Sequence, residues 1–161
     1  MSEIVLMRHA HALSAREAGV AFDPERPLST LGEQEALETS LYLKAAGFTP
    51  DLIISSPFLR AGRTAAIAAG VFSGAQVRTE AALSDGRLQN ILDLLLKPSA
   101  EASRLLLVGH QPLIGAIAAV LLGTEAFDVS PAGFIRLKPG GEAGHSSLVE
   151  FYSPPPEGKN G

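Results

Sequence analysis

Cysteine and tryptophan are absent from this chain of 161 residues, and only two tyrosines and two methionines occur. Without cysteine there can be no disulfide, no thiolate metal site and no cysteine nucleophile, and the composition accords with a reducing compartment, so a cytoplasmic address is expected. Basic excess is also missing: 13 Lys and Arg stand against 17 Asp and Glu, a formal charge of -4. Nonspecific binding to nucleic acid or to an anionic membrane is therefore not expected, although a small buried anion site remains open. Long apolar runs are lacking as well. The first, Ile4 to Met7, is too short for a signal segment or a membrane span and is cut off by Arg8 and His9. Neither a Gly-x-x-x-x-Gly-Lys-Ser/Thr loop, a Gly-x-Gly-x-x-Gly turn nor a carboxylate cluster is present, so no nucleotide cofactor and no metal is expected.

What the chain does contain is 46% hydrophobic residues, enough for one domain with a real core over residues 1–152, followed by a frayed tail, 153–161. Glu3 to Met7 reads as a buried strand. Thr30-x-x-Glu33 matches a capping box for a helix running to about Ala46, where Gly47 stops it. Leu52 to Ser55 reads as a second strand, and Ser56-Pro57 as the N-cap and first turn of a helix over Phe58 to Val71. A short strand at Gln76 to Thr79 precedes a helix at Arg87 to Leu96, whose Leu88, Ile91, Leu92 and Leu95 keep helical spacing. Arg104 to Val108 is the most hydrophobic strand and the expected centre of the sheet, and Pro112 to Leu122 is apolar nearly all round. Gly133 to Lys138 and Ser147 to Tyr152, joined by a Gly-rich link, read as a hairpin added to the sheet. This alternation indicates an α/β class fold, a three-layer α/β/α sandwich with a mainly parallel sheet and a C-terminal β-hairpin.

Three polar segments sit where apolar strands give way to helices: Arg8-His9, Ser55-Ser56-Pro57 with Arg60, and Val108-Gly109-His110. The carboxyl ends of strands in an open parallel sheet form the crevice where ligands bind, so Arg8, His9, Arg60 and His110 are aimed at one edge. A histidine nucleophile must be neutral with one ring nitrogen bare, which requires an acceptor, expected from the backbone, for the other N–H.

Leu6-Met7-Arg8-His9, Ser55-Ser56-Pro57 with Arg60-Ala61 and Thr64-Ala65, and Val108-Gly109-His110 together resemble the histidine phosphatase (phosphoglycerate-mutase-like) superfamily in order and spacing. The compact length and the Arg26-Pro27-Leu28-Ser29 segment with Gly32 look most like its small phosphohistidine phosphatases of the SixA type. The resemblance covers roughly residues 3 to 122 and implies a phosphoglycerate-mutase-like fold. It places the nucleophile on His9 and the phosphate ligands on Arg8, Arg60 and His110, an assignment that suits a phosphoryl group, which carries about two negative charges and spreads them over its equatorial oxygens in the transition state.

The chain departs from that pattern after the nucleophile, where glycine and an acidic residue are usual and Ala10 and His11 stand instead. His11 is either a substrate contact or a solvated loop residue. A His-x-His at a strand end also suggests the metal pair of barrel amidohydrolases, but such barrels need about 200 residues or more. Larger relatives carry a general-acid glutamate after the third strand; here Asp85 or Glu80 could take that role, or Asp85 could be a plain turn residue. Arg63 and His145 read as surface residues.

The leaving group bears on the substrate. An alkoxide needs a proton, whereas imidazole, with a pKa near 6.5, leaves with little help. The leading expectation is therefore hydrolysis of phosphohistidine on a signalling or phosphotransfer protein through a covalent intermediate on His9. Alternatives are a phosphatase of a small phosphorylated metabolite, a sugar phosphate or nucleotide, with Asp85 as acid, and a non-catalytic phosphate- or phosphoprotein-binding module.

Overall fold

A computed structural model describes residues 1–96, 103–140 and 144–156. Along the chain run β1 (Glu3–Arg8), α1 (Ala15–Ala18), a 3-10 turn (Asp23–Glu25), α2 (Thr30–Ala45), β2 (Leu52–Ser55), α3 (Leu59–Val71) and β3 (Gln76–Thr79). They are followed by α4 (Ala82–Asp85), α5 (Leu88–Leu96), β4 (Arg104–Gly109), α6 (Leu113–Leu122), β5 (Phe134–Lys138) and β6 (Ser147–Tyr152). The six strands form one sheet in the order β3-β2-β4-β1-β5-β6. β3, β2, β4 and β1 are parallel, and β5 and β6 add the expected antiparallel hairpin. Part of the hairpin's connection, 141–143, and the last five residues of the expected tail, 157–161, lie outside the described residues.

β1 and β4 lie inside the sheet and read as continuous apolar runs because both of their faces are covered. Alternation sends Val5, Met7, Leu106 and Val108 to one face, where Ala36 and Leu43 of α2 and Ala61, Ala65 and Ala68 of α3 cover them. Ile4, Leu6, Leu105 and Leu107 face the other way, against Ile91 and Leu95 of α5 and Ile114 and Ile117 of α6. This is the three-layer α/β/α arrangement. Burial of each such side chain contributes about 1.5–3 kcal/mol.

Local details differ from the sequence expectation. Ser29, not Thr30, caps α2: its Oγ accepts from the Gly32 N–H at 3.0 Å, and Glu33 is drawn off to Arg63 at 2.8 Å. α3 begins two residues later than Ser56-Pro57 suggests, with Phe58 as its N-cap, and Ser56 Oγ both accepts the Phe58 N–H and meets His110. α6 is buried along its first turns, yet Val120 is 47% exposed, so the helix is not enclosed all round. The segment between β1 and α2 contains two unpredicted turns: α1, closed by a Ser14–Glu17 capping box, and the 3-10 turn at Asp23–Glu25. Among the described residues, no helix is long and apolar enough to cross a membrane.

Candidate active site

The carboxyl ends of β1, β2 and β4 bring the sequence-predicted residues together. β1 and β4 are locked in register through Arg8 and Gly109, and the His9 N–H continues the ladder to the Gly109 carbonyl at 2.9 Å. His9 is therefore fixed in backbone as well as side chain. Ala10 is fully buried, and its N–H donates to Thr64 Oγ1 at 3.1 Å. A small residue is needed there because α3 approaches closely.

His9 is 8% exposed, and its Nδ1 lies 2.7 Å from the Ala10 carbonyl. A carbonyl can only accept, so the ring proton sits on Nδ1 and Nε2 keeps a free lone pair. Arg60 Nε–H points at that lone pair from 3.3 Å. Arg60, on the first turn of α3, is itself 7% exposed and stacks over Phe58, 5.1 Å from its ring centre.

His110 stands across the site, its ring centre 5.2 Å from that of His9 and 5.0 Å from Phe58. Ser56 Oγ accepts the Phe58 N–H at 3.2 Å and lies 2.7 Å from His110 Nε2, which donates to that hydroxyl in one ring tautomer and accepts its proton in the other. The other ring nitrogen, Nδ1, is buried and has no hydrogen-bond partner among the described residues. Arg8 donates through one terminal nitrogen to the Val129 carbonyl at 3.0 Å, but its buried Nε–H lacks an acceptor among the described residues.

Burial in this cationic surrounding holds both histidines neutral. Desolvation, with smaller contributions from His110, Arg60 and Arg8, pushes His9 down to about 3, against the opposing pull of the Ala10 carbonyl. Desolvation and Arg60 push His110 down to about 4, with Asp23 pulling the other way.

The remaining candidates make hydrogen bonds to other residues. Exposed His11 turns its Nδ1 to Ser29 Oγ at 2.7 Å, at the N-terminus of α2. A Cβ on Gly32 would lie 1.9 Å from the His11 carbonyl, so glycine is required for that close approach. Asp85 is exposed, and its carboxylate accepts the Arg87 N–H at 2.9 Å within its own turn. Glu80 follows β3, its N–H bonded to the Ser55 carbonyl at 2.9 Å. Arg63 pairs with Glu33, and His145 is exposed. A cavity of about 500 Å³ opens at the opposite end of the sheet beside Ile4, Leu92 and Leu95, far from these groups in topology and mostly apolar.

Two contributors escaped the sequence reading. Ser56 orients His110, a role masked by its resemblance to a helix cap. Asp23, on the 3-10 turn, accepts from Arg60 through both its backbone carbonyl, at 2.9 Å, and its carboxylate, at 3.0 Å. Its sequence signal was the Asp23-Pro-x-Arg26 pattern, an ion pair at 3.0 Å in the structure.

This cluster has counterparts in known proteins. Residues 4–91 match the family model of the histidine phosphatase superfamily (branch 1). An uncharacterized protein of Picosynechococcus sp. is 34% identical over 135 residues, covering 81% of this chain and 82% of the relative. In structure, the chain is similar to a candidate phosphohistidine phosphatase SixA from Nakamurella multipartitia, with a TM-score of 0.79 and 26% identity over 95% of this chain and 96% of that one. The protein histidine phosphatase SixA complexed with tungstate shares the fold, with a TM-score of 0.82 and 23% identity over 94% of this chain and 96% of that one. With an Arg-His pair ending β1, a second arginine on α3 and a second histidine after β4, the chain belongs to the histidine phosphatase superfamily and is a phosphatase of the histidine-nucleophile type.

Proposed function

We propose that the protein hydrolyses phosphohistidine on a signalling or phosphotransfer protein, with His9 as nucleophile and Arg8, Arg60 and His110 as phosphoryl ligands. The observation that carries this reading is the set of polar atoms around His9: among the described residues, Arg8 Nε–H and His110 Nδ1 are buried without partners, and Arg60 turns its Nε–H to His9 Nε2, the nitrogen that would take the phosphoryl group. Buried polar atoms are rarely left unpaired, and an oxyanion would supply the acceptor that Arg8 lacks, and one for His110 in the tautomer that carries its proton on Nδ1. The SixA proteins among the structural neighbours, one of them holding tungstate, support an oxyanion ligand.

In the first step the His9 Nε2 lone pair attacks phosphorus, and the P–N bond of a substrate ring protonated on its other nitrogen breaks, its electron pair returning to the ring so that neutral imidazole leaves. The Ala10 carbonyl keeps the Nδ1 proton and stabilises the positive charge growing on the ring. Water then attacks the phosphorus of phospho-His9, the P–N bond to Nε2 breaks, and inorganic phosphate leaves with histidine restored. The arginines and His110 bind equatorial oxygens whose charge rises in both transition states. No hydrogen bond ties Asp85 to this cluster among the described residues, which favours a leaving group that needs little protonation. Asp85 acting as an acid on a small phosphorylated metabolite is the second reading.

The test is phosphate release from a histidine-phosphorylated phosphotransfer domain, with a small phosphomonoester in parallel. The wild-type protein should release phosphate and favour the protein substrate, and His9→Ala should release none. Equal release by His9→Ala would exclude the covalent route, and preference for the monoester would move the reading to metabolites.

A further inference from the structure

The connection between β1 and α2 reaches over the phosphate pocket at one point, the 3-10 turn at Asp23–Glu25. There the Asp23 carbonyl accepts from one terminal nitrogen of Arg60 at 2.9 Å, and carboxylate Oδ2 accepts from the other at 3.0 Å. A guanidinium has a planar fork with two usable edges, one between its terminal nitrogens and one that includes Nε. Asp23 occupies the first. The second edge is left turned to His9, with Nε–H 3.3 Å from Nε2.

Asp23 is held in turn. Its other carboxylate oxygen accepts from Arg26 at 3.0 Å, the Arg26 N–H bonds the Asp23 carbonyl at 3.1 Å, and Arg26 Nε donates to the Leu13 carbonyl at 2.8 Å. The Asp23 side chain is 56% exposed and that of Arg60 only 8%. A carboxylate that accessible adds little to stability as a simple surface ion pair, so its geometry on Arg60 is the notable feature.

We infer that Asp23 is a positioning residue: it grips the outer edge of Arg60 so that the Nε edge is presented to the phosphoryl group during transfer to and from His9. This rests on the phosphoryl-transfer reading above. Arg60 is free to rotate about its side chain without this grip, and misplacement of a transition-state donor by a fraction of an ångström weakens it most when the oxygen charge peaks. The effect therefore falls on kcat more than on KM. The charge on Asp23 also offsets that of buried Arg60, and it acts on His110 in the direction that favours the imidazolium.

The experiment compares wild type with Asp23→Asn and Asp23→Ala by steady-state kinetics on the histidine-phosphorylated domain, tungstate binding by calorimetry, and thermal unfolding. Expected is a fall in kcat of about tenfold for Asp23→Ala with KM changed less than threefold, tungstate binding weakened, and unfolding temperature held. Asp23→Asn keeps an acceptor oxygen and should recover part of the loss, which separates a lost grip from a lost fold. Tighter tungstate binding in Asp23→Ala would overturn the inference, because Asp23 would then be a competitor for Arg60. Unchanged kcat and tungstate affinity in both variants would overturn it equally. If the wild type turns over no substrate, tungstate binding that weakens from wild type to Asn to Ala still supports the grip while the hydrolytic reading fails.

Discussion

Each end of β1 meets an arginine, Arg136 of β5 at its start and its own half-buried Arg8 at its finish, and the two are treated in opposite ways. At its start, Glu3 receives two hydrogen bonds from Arg136, at 2.5 and 3.1 Å, while Arg136 also donates to the Ala46 carbonyl at 3.0 Å and lies over the Phe48 ring. Glu3 and Arg136 are each 9% exposed, and the pairing keeps the Glu3 carboxyl below its ordinary value, chiefly through the hydrogen bond to Arg136. At its end, Arg60 is only partly matched by exposed Asp23, half-buried Arg8 has the exposed carboxylate of Asp128 near it, and Arg8 Nε–H is left without a partner among the described residues. A closed pair of buried charges is structural. Positive charge beside incompletely paired buried polar atoms suits an anion, the ligand proposed above.

Substitutions at the two ends should separate stability from activity. Arg8→Met, at the open end, should lower kcat/KM for phosphate release by on the order of 100-fold, the loss expected for one transition-state donor. Because it removes a half-buried cation whose nearby carboxylate, Asp128, is itself exposed to water, its unfolding free energy should equal or exceed that of wild type; a clear drop in chemical denaturation would undo the contrast. Arg136→Met, at the closed end, leaves a buried carboxylate alone and should cost about 3–5 kcal/mol of stability. Its kcat/KM at a temperature where it stays folded should lie within about twofold of wild type, and adding Glu3→Leu should recover most of the loss.

The third prediction concerns protons. In the unfolded chain both site histidines titrate near 6.5. Folded, they are held down to about 3 and about 4. Within that window the unfolded chain binds more protons than the folded one, so stability falls as pH drops from 6.5 and is level above it as far as these groups are concerned. The thermal midpoint should be lower at pH 5 than at pH 7.5, and His110→Gln should shrink the difference. For the same reason the acid limb of kcat/KM should not show the ordinary histidine value near 6.5.

The smallest effect is expected at Asp85. With its carboxylate committed to the Arg87 N–H, Asp85→Asn should change phosphohistidine hydrolysis by less than about twofold, since an Asn acceptor preserves such turns. A large loss confined to a phosphomonoester would instead give Asp85 the proton-donor role and sharpen the metabolite reading.

Much of this was written in short-range patterns. Apolar runs ending in Arg8-His9, in Ser55-Ser56 and in Gly109-His110 marked both the parallel strands and the residues at their carboxyl ends, because strand burial and the strand-to-helix turn are local properties. Helix starts were read less well: Ser29 and Ser56 each offer a hydroxyl with more than one use, and propensity cannot tell a cap from a tether. What tertiary structure alone decided are the contacts across long sequence separations. Asp23 meets Arg60 across 37 positions and Ser56 meets His110 across 54. No periodicity encodes such pairs; they arise when β1, β2 and β4 are laid side by side and the chain between β1 and α2 is folded back over their ends. The sequence by itself determined which chemical groups would line the sheet's carboxyl edge. Packing decided which of those groups the protein itself already matches.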